Sequence, residues 1–243
     1  MKYFLPALLI FSLSFLSCNQ TITPIEKIET APTASKLPLN DTISSATAIP
    51  PIKIKNLASV SDTSFIKITD YNSNFFYDLR YATHNNFLKE KVYNCGECYT
   101  RAKTAKALIK ANNFLMKKGF KIKFFDCYRP NSVQYKMWKI MPNPQYVANP
   151  KKGSIHNKGG AVDITLTDLN GKEVDMGTDF DFFGWKAYHT NITLPKKVLE
   201  NRKLLKTTME RFGFWSIRTE WWHYNLKGTS HFKIANFEWN CSD

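Results

Sequence analysis

The sequence predicts an α+β domain built on a mainly antiparallel central sheet with flanking helices. Three observations predict it. Helix-period and strand-period segments are interspersed along the chain, beginning near Ser64. The last strand-like segments, from Phe214 to Tyr224, lie too close together for helical crossovers between them. And residues 61–243 offer about 180 residues, enough to bury the core of one domain.

The chain has 243 residues. Lys2 is followed by an apolar run, Phe4 to Leu16, and then by Ser17 and Cys18. A positive start, a short apolar core and a small residue before a cleavage point make a signal peptide over residues 1–17. The run is shorter than the roughly 20 residues a membrane span needs. The cysteine after Leu16-Ser17 predicts a lipidated N-terminus at Cys18; a plain secretory signal is the alternative, because Phe15 stands where such signals usually carry Leu. Residues 18–60 are rich in Thr, Ser, Pro and Ala without a persistent period, and are expected to be a disordered tether. The expected divisions are therefore 1–17, 18–60 and 61–243.

Within the domain, Ser64–Thr69 and Asn74–Tyr81 read as short strands or extended segments, and Thr83–Tyr99 as a loop. Thr100–Lys118 is an amphipathic helix: Ala102, Ala105, Leu108, Ile109, Leu115 and Met116 recur at helical spacing, and Gly119 stands at the stop. Phe120–Phe125 alternates as a strand and delivers Asp126, Tyr128 and Arg129 before Pro130 breaks it. A second helix is expected from about Asn131 to Ile140, with Val133, Met137 and Trp138 inward. Ala161–Leu166 alternates again, with Val162, Ile164 and Leu166 toward the core. Asp163 then faces the other way, and its charge needs compensation if it is buried. Asp168–Lys172 is a turn, and Leu194–Phe212 a third helix stopped by Gly213. The aromatic stretch from Phe214 to Tyr224 ends the pattern.

Net charge is +14. The lysines are scattered, and no basic stripe interleaved with aromatics appears, so a solvated basic surface is expected and no nucleic-acid partner. Of the five cysteines, four lie beyond Cys18, and they allow three full pairings. Cys95 and Cys98 have a redox or zinc half-site spacing without a second such pair, so structural thiols or a local bridge are expected. Cys127 reads as a small buried filler in a strand.

The chemistry is concentrated in Ser154-x-His-x-x-Gly-x-Ala-x-Asp163 and Glu220-Trp-Trp-His223. His156, Asp163 and His223 can close three corners of a zinc tetrahedron and leave the fourth for water. Glu220 can take that water's proton. Glu220 and His223 are three apart and would face opposite ways on a regular strand, so the chain must bend or end near Trp221 and Trp222. Arg129 can pair with Asp126 or stand as a fixed cation where negative charge grows in a transition state. His84, His189 and His231 lack such companions and are expected to be surface or structural.

With Asp126-x-Tyr-Arg-Pro130, these motifs resemble the D-alanyl-D-alanine dipeptidase family of zinc peptidases, which is related to zinc D,D-carboxypeptidases and the hedgehog-like fold. Asp78–Thr83, Asn86-Phe87, Met176–Asp181, Asn201-Arg202, Met209 and Gly213-Phe214 agree with it, so the likeness runs over roughly residues 64–225. The resemblance implies one Zn2+ held by His156, Asp163 and His223, with Glu220 as general base and then acid. It further implies that Arg129 stabilises the oxyanion, that Tyr81 and Asp181 hold the substrate ammonium, and that Ser154 positions the dipeptide. The expected function is zinc-dependent hydrolysis of D-Ala-D-Ala or a similar small dipeptide in turnover of cell-wall peptides. The expected place is the cell envelope, lipid-anchored through Cys18 to a membrane. A D,D- or L,D-carboxypeptidase on stem peptides and a non-catalytic wall-peptide-binding protein are the competing readings.

Overall fold

The computed structural model describes residues 54–241. The expected signal peptide, Cys18 and most of the tether lie outside them. Seven strands and three α-helices follow in the order β1 (Phe65–Lys67), β2 (Phe76–Tyr77), β3 (Tyr99–Arg101), α1 (Ala102–Met116), β4 (Phe120–Asp126), α2 (Asn131–Ile140), β5 (Ala161–Asp168), α3 (Lys196–Arg211), β6 (Phe214–Ser216) and β7 (His223–Leu226). The central sheet has five strands in the order β2-β4-β5-β7-β6. Only β2 and β4 run parallel; the other three pairings are antiparallel, as the sequence predicts. A separate antiparallel pair joins β1 to β3.

The helices form where their apolar faces have a sheet to cover. In α1, Ala105, Leu108 and Leu115 are wholly buried, and in α3 so are Leu205 and Met209. Both helices pack on the sheet and on each other. Asn112 of α1 explains how a polar residue survives there: its Oδ1 accepts the Ile122 N–H at 2.8 Å and its Nδ2 donates to the Asn74 carbonyl at 2.9 Å. The first bond ties the helix to β4 and the second to the segment before β2, so both of its buried polar atoms are satisfied. The helices end close to the expected residues, with Gly119 and Gly213 in the left-handed region just beyond α1 and α3.

Strand alternation on β5 sends Val162, Ile164 and Leu166 one way and Ala161, Asp163 and Thr165 the other. Both faces are buried. The register of β4 against β5 shifts between Phe124, opposite Ile164, and Asp126, opposite Asp163. The extra residue, Phe125, is a β-bulge. Without it Asp126 would share a face with Phe124; with it, Asp126 turns to the face of Asp163.

Three expectations are corrected. Tyr81 is not in a strand but in a 3-10 turn, Arg80–Ala82, after β2. The Cys95–Cys98 pair forms no local bridge: Cys95 is joined to Cys241 and Cys98 to Cys127, because the chain brings those partners together at Cα separations of 5.7 and 5.5 Å. Cys127 is thus a crosslink and not a filler. Ahead of Ser61, Leu57 joins the core and the Lys55 N–H donates to the Asp70 carbonyl. No helix among the described residues is long and apolar enough to cross a membrane.

Candidate metal centre and active-site cavity

Three donor atoms converge at the open end of β5 and β7. Asp163 and His223 are cross-strand partners. His156 reaches them from the 3-10 turn His156–Lys158 just before β5. The two glycines that follow are required by crowding: Gly159 has φ +69°, and a Cβ on Gly160 would come within 2.2 Å of Thr229 Oγ1.

The His156 Nε2, His223 Nδ1 and Asp163 Oδ1 atoms form a triangle with edges of 3.2, 3.3 and 3.0 Å. Donors held about 2.0–2.1 Å from a tetrahedral centre lie roughly 3.3 Å apart, so the triangle fits zinc. His156 Nδ1 donates to the Cys127 carbonyl at 2.7 Å, which assigns the proton to that nitrogen and leaves Nε2 with its lone pair toward the triangle. Among the described residues these three are the His, Cys, Asp and Glu group able to hold a metal. Burial pushes the Asp163 carboxyl up, but the two histidines against it more than offset this and hold it below its ordinary range.

Glu220 lies in the connection between β6 and β7, outside either strand. This is how it shares a side with His223 despite the three-residue spacing; its Oε2 stands 4.0 Å from His223 Nδ1. Burial raises the Glu220 carboxyl well above its usual range, the negative Asp163 adds to this, and Arg129 opposes it.

Arg129 is held in a fork. Its Nε and Nη2 donate to Asp126 Oδ2 at 2.9 and 2.7 Å, and its Nη1 to Gln134 Oε1 at 2.9 Å. Tyr93 donates to the other Asp126 oxygen at 2.9 Å. Burial works against the guanidinium charge, but Asp126 beside it prevails, so Arg129 stays cationic. Of the two sequence readings of Arg129, the pairing with Asp126 is present, and the residue also lines the cavity.

Tyr81 donates to Asp181 Oδ2 at 2.9 Å. Burial raises the Asp181 carboxyl, and Asp163 adds to the shift. Ser154 Oγ accepts the His156 N–H at 3.2 Å, leaving its own proton free to donate. Tyr81, Arg129, Ser154, His156, Asp163, Asp181, Glu220 and His223 all line one cavity of about 250 Å³. Its remaining wall includes Phe87, Phe183 and Tyr146, whose rings contact one another at 5.1 and 4.8 Å.

Sequence reasoning missed Tyr93, Gln134, that aromatic wall and Asn225, which also borders the cavity. For Asn225 there was a signal, the period-two spacing from His223. For Tyr93 and Gln134 there was none, because their partners are decided by long-range packing.

A buried donor triad, an adjacent carboxyl group and a fixed guanidinium around one cavity define a metal-dependent hydrolase. The D-Ala-D-Ala dipeptidase family matches residues 62–239, nearly all of the described chain. The chain belongs to that family, and is a zinc metallopeptidase as the sequence motifs imply. It is 31% identical over 164 residues to the D-alanyl-D-alanine dipeptidase of Escherichia coli K12, covering 68% of this chain and 85% of that one. It is 30% identical over 171 residues to the D-alanyl-D-alanine dipeptidase of Enterococcus faecalis, covering 62% and 85%. A solved vancomycin-resistance D,D-pentapeptidase, VanY, in complex with Zn(II) is 17% identical, with 54% of this chain and 75% of that chain covered and a TM-score of 0.36, a likeness too slight to bear on the chemistry.

Proposed function

We propose that this chain hydrolyses D-Ala-D-Ala or a similar small dipeptide at a zinc ion held by His156, Asp163 and His223, in turnover of cell-wall peptides. The observation that carries the reading is the gathering of all eight residues on one cavity of about 250 Å³. Pockets for drug-sized ligands run roughly 300–1,000 Å³. A smaller space bordered by Phe87, Phe183 and Tyr146 suits a dipeptide better than a stem peptide, which counts against the carboxypeptidase reading. Glu220 and Arg129 are both present at the donors, which counts against a binding protein without catalysis.

His156, Asp163 and His223 would hold the zinc, which when bound would supply a Lewis acid for the scissile carbonyl and for water. The chain's own residues do the rest. Asp181 and the Tyr81 hydroxyl receive the substrate ammonium. Glu220 accepts the proton of the attacking water on its carboxylate and returns it to the departing amine nitrogen. Arg129, pre-set by Asp126 and Gln134, faces the oxygen on which negative charge develops, and needs no reorganisation to do so. Ser154 positions the dipeptide.

The cell envelope is the proposed location. Two disulfides in one domain suit an oxidising compartment, which supports export. The proposed lipid on Cys18 is tested by fractionation: wild type stays with membranes through a high-salt wash, which screens adhesion of the basic domain, and Cys18→Ser is released. The activity is tested by product analysis with D-Ala-D-Ala, L-Ala-L-Ala and a stem pentapeptide, with and without chelator. Cleavage of D-Ala-D-Ala alone, abolished by chelation, is the expected result; cleavage of the pentapeptide alone replaces it with the carboxypeptidase reading.

A further inference from the structure

Helix α1 carries Lys103, Lys106 and Lys110 and no acidic residue. Spacings of three and four bring the three lysines to one side of the helix. The end of α3 adds Arg211. All four line one surface groove of about 420 Å³, together with Leu226 of β7 and a single carboxylate, Asp62. Lysines that are scattered in the sequence are thus gathered by the fold.

Their charge is poorly compensated. Only Lys106 is committed to an acid: its Nζ donates to Asp62 at 3.0 Å and to the Val60 carbonyl at 2.8 Å. Lys103 donates to the Gly228 carbonyl at 3.3 Å, which leaves its charge intact. Glu210, the acid beside Arg211, pairs with Lys206 instead. Among the described residues no carboxylate forms an ion pair with Lys103, Lys110 or Arg211. Three such cations around one groove repel one another, and an anionic partner relieves that repulsion.

The rim also holds an aromatic ring. Phe114, four residues beyond Lys110 on α1, has the Arg211 guanidinium 4.6 Å and the Lys118 Nζ 5.2 Å from its ring centre. Cations with an aromatic side chain between them suit the boundary of a bilayer, where the cations meet phosphates and the ring meets the acyl chains. The position in the chain agrees. The 53 residues outside the described part all precede it, and Val60 and Asp62, which hold Lys106, come soon after its start. The membrane attachment proposed at Cys18 belongs to that preceding segment.

The groove is separate from the chemistry. His223 of β7 lines the catalytic cavity, and Leu226, three residues on, lines the groove. Strand alternation sends the two to opposite faces of the sheet.

We propose that the face of α1 and α3 around Lys103, Lys110 and Arg211 docks on an anionic phospholipid bilayer, with the catalytic cavity on the opposite face of the sheet. The basic groove stands without the anchor; the choice of a bilayer over another polyanion rests on the anchoring proposed above.

The test uses the mature chain with Cys18→Ser, so that no acyl chain contributes. It is sedimented with vesicles of phosphatidylcholine alone or mixed equally with phosphatidylglycerol. At low salt the chain should bind the mixed vesicles at least about tenfold more tightly than the neutral ones, and about 0.5 M NaCl should release it. Lys103→Gln, Lys110→Gln and Arg211→Gln together should weaken binding about 100-fold, at roughly fivefold per charge near an anionic surface. Lys136→Gln, Lys139→Gln and Lys186→Gln remove the same charge from exposed positions outside the groove, and should weaken it less than about threefold. Hydrolysis of D-Ala-D-Ala in solution by the groove variant should stay within about twofold of its parent, and melting temperature reads its fold. If that variant is unstable, Lys110→Glu, exposed and without a bonded partner, decides, with an expected loss of about tenfold. Equal weakening by the two triple variants, or no preference for the anionic vesicles, overturns the proposal. So does groove-dependent binding of a soluble phosphodiester polymer, or groove-dependent self-association, without binding to vesicles; the face then belongs to a polymer or to a second copy of the chain. Fractionation of wild type reads the anchor separately: if it carries no lipid while the groove variant alone leaves the vesicles, the docking stands and the anchoring falls.

Discussion

Glu220 and Asp163 are two carboxyl groups in one cavity, and their surroundings push them apart. Two histidines hold Asp163 ionised, while burial and that same Asp163 raise Glu220. Separated carboxyl groups of this kind supply a ligand and a proton carrier from similar side chains. In the proposed mechanism Glu220 carries the proton and does not hold the metal. Glu220→Gln should therefore keep zinc and fold while kcat falls about 10²- to 10⁴-fold, read by steady-state kinetics beside metal analysis. Near-normal turnover would assign the proton to another group. Arg129 poses a different question, because its charge and its planar fork are separable. Lysine keeps the charge but cannot bond Asp126 and Gln134 together. Arg129→Lys should lower kcat about 10²- to 10³-fold with zinc retained; a change confined to KM would place the cation in substrate binding instead. His156, Asp163, His223 and Glu220 were legible in the sequence because metal-donor types at short spacing are uncommon. Asn225 was passed over, although it stands two residues from His223 on the same strand.

At the scale of elements, small irregularities aim the chemistry. The bulge at Phe125 turns Asp126 toward Asp163, and Asp126 in turn holds Arg129. The bend before β7 places Glu220 beside His223. The crosslink between Cys98 and Cys127 anchors the residue whose carbonyl fixes the His156 proton. Closing 29 residues, this bridge should contribute about 2–4 kcal/mol by restricting the unfolded chain. Replacing both cysteines with alanine should lower the denaturation midpoint accordingly. Zinc affinity should fall too, by about 10-fold, as the partner of His156 loosens; a metal competition titration reads it. Unchanged affinity with lowered stability would make the bridge purely structural. The bend was foreseen from side-chain alternation. The bulge was not, since Phe124-Phe125-Asp126 reads as an uninterrupted strand.

Across the whole molecule, stability should depend on one histidine outside the motifs. Burial lowers His189 to about 4, with Lys206 and Arg202 adding to the shift, and its Nε2 has no partner among the described residues. Above pH 6.5 it is neutral whether the chain is folded or not. As pH falls through 6.5 toward 4 the unfolded chain takes up the proton first, so stability is lost over that window, by about 3 kcal/mol at most. His189→Gln should flatten this part of a stability–pH curve; an unaltered curve would mean that other groups govern it. The start of the fold can be tested as well. Leu57 is 9% exposed and joins the core. A chain beginning at Ser61 should be less stable than one beginning at Ile54 by about 1–2 kcal/mol, measured by urea denaturation. Equal midpoints would restore the later boundary.

What the sequence by itself determined was the set of elements and the donor chemistry. Period and residue type are local properties, so α1, β4, α2, β5 and α3 stand within a few residues of where hydrophobic spacing puts them. What only the tertiary structure decided was everything that joins distant residues. Cys95 pairs with Cys241 across 146 residues rather than with its neighbour Cys98. Tyr93 reaches Asp126, Tyr81 reaches Asp181, and Phe87, Phe183 and Tyr146 close one cavity. Such contacts depend on which faces pack together, and no local spacing encodes them. They also set the size of the cavity.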